Sequence, residues 1–161
     1  MTKKNTVLAG VDGSDAGRAA LTWAIDWATR TGAEVDAVTA WLYDPMLDDP
    51  SLHRTKVEAR RIHLRELEDQ VAAARPGVVV RCAVPDGDAA DVLVDLSRDA
   101  QLLVVGSHGK GKWRNLLVGS VSATCLRRAH CPVVVVPPRA WMPGGLVGQL
   151  LAGTPRPAPR E

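Results

Sequence analysis

No stretch of the 161-residue sequence approaches the roughly 20 consecutive apolar side chains that a membrane-crossing helix needs. The amino end, Met1 to Thr6, also lacks the apolar core of a secretory signal, which predicts a cytoplasmic protein with no membrane partner. Charge of one sign is scarce: 20 Lys and Arg stand against 18 Asp and Glu, and a formal net charge of +2 gives no electrostatic grip on nucleic acid. Cysteine is sparse. Cys82, Cys125 and Cys131 are odd in number, sit among apolar neighbours and lack Cys-x-x-Cys spacing, so they read as reduced core residues rather than zinc ligands.

What is present suits one domain with one site. Short β-branched runs alternate with longer segments of helical period, the pattern of an α/β protein with a parallel sheet. Five strands are expected, at Thr6 to Val11, Glu34 to Trp41, Val78 to Val84, Leu102 to Val105 and Val133 to Val136. After the first strand, Ser14 or Asp15 caps a helix whose buried face is Ala20, Trp23, Ala24, Trp27 and Ala28, and Gly32 provides a left-handed stop.

Asp44-Pro45 and Asp49-Pro50 break the chain before a charged helix from about Ser51 to Ala74. Its expected stripe is Val57, Leu64, Leu67, Val71 and Ala74, and its mixed Arg and Glu residues read as a solvated, paired face. Asp88 caps a third helix burying Ala89, Val92, Leu93, Leu96 and Ala100, and a fourth spans Ser120 to Arg128. Residues 1–140 form the expected domain; residues 141–161 are a Pro- and Gly-rich tail to which no function is assigned.

The chemistry lies after the fourth strand, at Gly106-Ser107-His108-Gly109 and, nine residues on, at Gly119-Ser120 opening a helix. Glycines at a strand end let the backbone approach a ligand, and the amides and dipole of the next helix attract an anion. Phosphate is the natural guest, because open parallel sheets bind ligands at the carboxyl ends of their strands.

Two better-known phosphate loops fail here. Gly106-x4-Gly111-Lys112 begins like a Walker A loop, but Trp113 stands where a Ser or Thr should meet magnesium. A dinucleotide fingerprint starting at Gly109-Lys110-Gly111 lacks its third glycine at Arg114.

The spacing Gly-x2-Gly-x9-Gly-Ser is similar to the nucleotide-binding signature of universal stress proteins. The likeness extends to Val-Leu-Ala-Gly-Val-Asp-Gly-Ser at Val7 to Ser14, Leu-Leu-Val-Val-Gly-Ser-His-Gly at Leu102 to Gly109 and Cys-Pro-Val-Val-Val-Val at Cys131 to Val136, within a span from Lys4 to Pro138. The resemblance implies a five-stranded sheet of order 3-2-1-4-5 with helices on both faces. It also implies bound ATP, often with a divalent metal such as magnesium or manganese held through the nucleotide, and a homodimer through Val133 to Val136.

On matching positions, the resemblance puts Val11 and Asp12 at the adenosine and Ala40 beside the adenine. It puts Gly106, Ser107, His108 and Gly109 on one side of the phosphates, and Gly119, Ser120, Val121 and Ser122 on the other. Ala40 stands where the family often has valine, and the bulky Trp41 follows it, a departure that bears on the shape of the adenine pocket the resemblance implies and not on its existence.

No second carboxylate is visibly paired with Asp12, and His108 is the only histidine in the motif. The sequence therefore implies slow ATP hydrolysis at most, in a binding module whose state a protein partner reads. Two alternatives are a family member independent of ATP and an ATP pyrophosphatase or adenylating enzyme. The latter carries a Ser-Gly-Gly loop after its first strand, where this chain has Val-Asp-Gly-Ser-Asp.

Overall fold

The computed structural model describes residues 5–42, 56–109 and 118–138. The Asp44-Pro45 and Asp49-Pro50 breaks, residues 51–55 of the charged helix, the cations Lys110, Lys112 and Arg114, and the tail at 141–161 lie outside the described residues.

Elements run in the order β1 (Thr6–Gly10), α1 (Asp15–Thr31), β2 (Glu34–Val38), α2 (Lys56–Ala73), β3 (Val80–Ala83), α3 (Ala89–Leu96), β4 (Leu102–Gly106), α4 (Ser120–Arg128) and β5 (Val133–Val136). The five strands pair in parallel in the order β3-β2-β1-β4-β5. β1 and β4 are central and covered on both faces, which is why both read as continuous apolar runs rather than alternating ones.

Two cores flank the sheet. On one face, Leu21, Ala24 and Ala28 of α1 and Leu67 and Val71 of α2 pack on Val7, Ala9, Val35 and Val104. On the other, Leu93 of α3 and Cys125 of α4 pack on Leu8, Val38, Leu103 and Val105. The alanines of α1 bring that helix close to the sheet. Its ends are set locally: Ser14 accepts from the Gly17 amide at 3.0 Å, and Gly32 at φ 70° closes the carboxyl end.

Several boundaries fall short of the periodicity reading. β2 ends at Val38 rather than Trp41, level with the end of β3 at Ala83; beyond it the pairing continues as single hydrogen bonds, Thr39 N–H to the Ala83 carbonyl at 3.1 Å and Trp41 N–H to the Pro85 carbonyl at 3.2 Å. Val57 is 67% exposed instead of lining the core. Ala59, two residues on in the same turn, is buried with Leu67 and Val71, so at about 100° per residue Val57 falls to the side of the buried face.

Trp27 is likewise 40% exposed; it stacks on Trp23 with ring centroids 5.5 Å apart and planes 10° from parallel. Leu96 is exposed at the end of α3, and Ala100 is buried but lies beyond that helix. The sheet's outer strand β3 is dressed in charge, with Arg81 Nε 2.7 Å from Asp36 Oδ1 and its guanidinium also paired with Glu34. β5, at the opposite edge, carries four valines.

Candidate functional site

β1 is flanked by β2 on one side and β4 on the other, and the chain leaves β1 and β4 toward opposite faces of the sheet. A crevice must open between their carboxyl ends at this reversal. A cleft of about 570 Å³ lies there.

Val11, Asp12 and Ala40 line the cleft from the β1 and β2 side. Gly106, His108 and Gly109 line it after β4, and Gly119, Ser120, Val121 and Ser122 at the start of α4. Of the residues singled out in the sequence, Ser107 alone is not in the lining. Its side chain is buried, its amide donates to the Val136 carbonyl at 2.9 Å, and its carbonyl accepts from the Gly119 amide at 2.6 Å. Ser107 is therefore the clamp that holds the two glycine clusters together. Sequence reasoning missed Gly10, Val38, Ala89 and Val105, which give the floor its apolar character. The available signal was their position at strand ends and just after the Asp88 cap.

Hydrogen bonds fix the polar rim. The Asp12 carboxylate accepts through Oδ1 from the Ser14 amide at 3.0 Å and the Ser14 hydroxyl at 2.6 Å, an Asx turn that folds the chain from β1 into α1. The other oxygen, Oδ2, faces Gly109, where an added Cβ would sit 2.8 Å from it. The Ser107 hydroxyl and His108 Nδ1 are 2.8 Å apart. Ser122 donates to the Gly106 carbonyl at 2.6 Å, tying the first turn of α4 to the end of β4.

The glycines have different reasons. A Cβ on Gly106 would lie 2.6 Å from the Ala16 carbonyl carbon and 2.8 Å from the Gly17 nitrogen, so the first turn of α1 demands this glycine whether or not a ligand is bound. A Cβ on Gly119 would meet the Ser107 carbonyl oxygen at 3.3 Å, a tight but not impossible contact.

The helix starts differ most. α1 is capped by Ser14, and α3 by Asp88, whose Oδ1 accepts from Ala90 at 2.9 Å and Asp91 at 3.3 Å. Each also has an acidic residue in its first turn, Asp15 and Asp91. α4 starts from Gly119 with no side-chain cap and no acid in its first turn. The first amides of a helix have no partner inside it, and its dipole is positive at that end. Among the described residues no side chain caps the α4 start on the wall of the cleft, and free amides at such an end can receive an anion. Among the described residues no group of three His, Cys, Asp or Glu could hold a metal ion.

An open parallel α/β sheet with an anion-ready crevice at its order reversal defines a class of small-ligand-binding domains. Within that class, the sequence model of the universal stress protein family matches residues 4–137, and the chain belongs to that family. It is 33% identical over 131 residues to universal stress protein Rv2624c of Mycobacterium tuberculosis, covering 81% of this chain and 47% of that one. The chain thus spans about half the length of this curated relative.

Among solved structures, a universal stress protein in complex with cAMP is 31% identical at a TM-score of 0.58, covering 84% of this chain and 98% of its own. The universal stress protein of Archaeoglobus fulgidus in complex with dAMP, 21% identical with a TM-score of 0.59 over 84% of this chain and 99% of that one, shares the fold. No helix among the described residues is long and apolar enough to cross a membrane.

Proposed function

We propose that the cleft binds ATP and that the chain is a cytoplasmic nucleotide-dependent module of the stress response, whose occupancy a protein partner reads. The observation that carries this reading is the uncapped start of α4 at Gly119, beside a cleft whose floor is apolar. An adenine suits the Val38, Val105 and Ala89 floor, and phosphates suit the amides of Ser120 to Ser122. The adenine nucleotide held by the cAMP-bound relative supports the same ligand class.

A magnesium or manganese ion would ride on the phosphates, since the hydroxyl that a Walker loop gives to the metal is replaced by Trp113. Asp12 Oδ1 is committed to Ser14, which leaves Oδ2 as the carboxylate atom toward the ligand. Hydrolysis on this arrangement is slow, well below the typical enzyme turnover of about 10 per second.

A homodimer through β5 completes the reading. Val133, Val134 and Val135 are half-buried on a strand that ends the described sheet, and an uncovered apolar edge invites pairing. Wild type sedimenting as a monomer at micromolar concentration overturns the dimer.

Calorimetric titration with ATP tests the site. At one hundred times its dissociation constant a ligand adds about 2.7 kcal/mol, which raises Tm by roughly 5 to 10 °C in a domain of this size. Gly119→Val, shown to be folded by circular dichroism, is expected to lose that rise. Retained wild-type affinity in the folded variant overturns the phosphate cradle, and preference for cAMP over ATP reassigns the nucleotide.

A further inference from the structure

The three cysteines divide between the two faces of the sheet. Cys82 packs against the α1 and α2 core. Cys125 and Cys131 share the α3 and α4 core, Cys125 fully buried within it and Cys131 half-buried against it. The chain brings these two together by reversing direction. α4 ends at Arg128, Ala129 turns extended at φ −61° and ψ 149°, and β5 starts at Val133.

Along β5, Val133 and Val135 face the α4 side while Val134 and Val136 face the other. Cys131, two residues before β5, packs on that same α4 side, against the cluster that holds Cys125. Cys125 is the buried residue that the last turn of α4 points down at the sheet. The turn between them is pinned: the buried Ser97 hydroxyl accepts from the His130 amide at 2.8 Å while donating to the Val94 carbonyl at 2.6 Å.

We propose that Cys125 and Cys131 are a hydroperoxide-sensitive thiol pair that closes to an intramolecular disulfide across the turn from α4 to β5. The Cys131 sulfur attacks one peroxide oxygen, the O–O bond breaks, and one water leaves as Cys131 becomes a sulfenic acid. The Cys125 sulfur then attacks the Cys131 sulfur, the S–O bond breaks, and the hydroxyl leaves with the Cys125 proton as a second water. Two thiols are oxidised by two electrons and one peroxide is reduced to two waters.

The order follows from exposure, because only Cys131 is reachable from solvent. Burial, with a smaller contribution from neighbouring Cys131, pushes the Cys125 thiol up to about 11 and keeps it protonated until attack. In a reducing compartment such a bond is transient, as a sensor requires. This proposal stands apart from nucleotide binding.

The reduced full chain is treated with one equivalent of hydrogen peroxide, alkylated and digested with trypsin without reductant. Arg127 and Arg128 lie between the two cysteines, so cleavage leaves them on separate peptides that only a disulfide can join. The expected result is that joined pair, with an intact mass lower by about 2 Da for the two hydrogens lost.

Cys82→Ser is expected to behave as wild type, and Cys125→Ser to accumulate a Cys131 sulfenic acid that dimedone traps. If the buried Cys125→Ser does not fold, Cys131→Ser decides at a half-buried position: it should give no joined peptides and no peroxide-dependent oxygen on Cys125. Oxygen adducts on Cys131 without joined peptides, a link to Cys82, or only intermolecular disulfides overturn the proposal.

Discussion

The starts of α1 and α3 and the start of α4 lie along the same edge of the sheet, yet the first two satisfy themselves and the third does not. Ser14 and Asp88 fold back onto the amides of their own helices, whereas Gly119 has no side chain to offer. A helix that caps itself is finished as a structural element. One left uncapped beside an apolar cleft retains donors for something else, at a cost of only about a few tenths of a kcal/mol, since glycine is nearly as good at this position as a capping side chain. Stability and binding are therefore separated by helix, although the residues concerned lie around one crevice.

The sharpest break of this comparison is at Gly106, which packs against the capped start. Gly106→Ala forces its Cβ onto backbone atoms of Ala16 and Gly17, which cannot swing aside. Destabilisation of about 3 kcal/mol is expected in urea unfolding.

The opposite move gives the open start a cap. Gly119→Asp supplies a carboxylate to the α4 amides and repels phosphate, so ATP affinity should fall about 30-fold, equivalent to roughly 2 kcal/mol. Folding stability should hold within a few tenths of a kcal/mol. Unchanged affinity by calorimetry would separate the α4 start from the ligand.

The far end of the same helix answers to pH. Cys125 titrates above its ordinary value of 9.0, at about 11 in the folded chain. Its contribution is whole below pH 9 and is lost as the pH climbs toward 11, because the unfolded thiol releases its proton first. About 2 kcal/mol should disappear across that window in wild type beyond what Cys125→Ala loses, measured as the difference between the two unfolding curves.

The smallest effect is at the finished helix. Asp88→Ala removes the cap of α3 and should cost about 1 kcal/mol while leaving ATP affinity near wild type. A large affinity loss there would show that capping and binding are not separable along this edge.

The strand count and the caps Ser14, Asp88 and Gly32 were legible in the sequence because each is a local signal: a run, a turn residue, a glycine after a helix; the strand order came with the family resemblance. So were ten of the cleft's lining residues, through the spacing of two glycine clusters and the family likeness. What escaped was set by neighbours. β2 stops at Val38, level with the end of β3, and a period-2 pattern cannot report where a partner ends. Trp27 and Val57 fit the helical period but lie at the margins of the buried faces, beside Ala28 and Ala59 that are buried. Gly10, Val38, Ala89 and Val105 come into the cleft only once β1 and β4 are side by side, a pairing across about 95 residues of chain, as Val7 meets Leu102. Ser107 stands outside the cleft lining, because a motif conveys adjacency without direction.

The parallel stack of Trp23 on Trp27 has an optical consequence. Two indoles stacked with nearly parallel planes at 5.5 Å couple their excited states, and a skew between their in-plane transitions splits the ultraviolet circular dichroism into lobes of opposite sign. The stack sits on the helix that starts at Ser14 and Asp12, which makes that couplet a built-in, label-free gauge of whether the β1 side of the crevice is intact. It vanishes on replacing either ring with leucine, while the other three tryptophans still absorb.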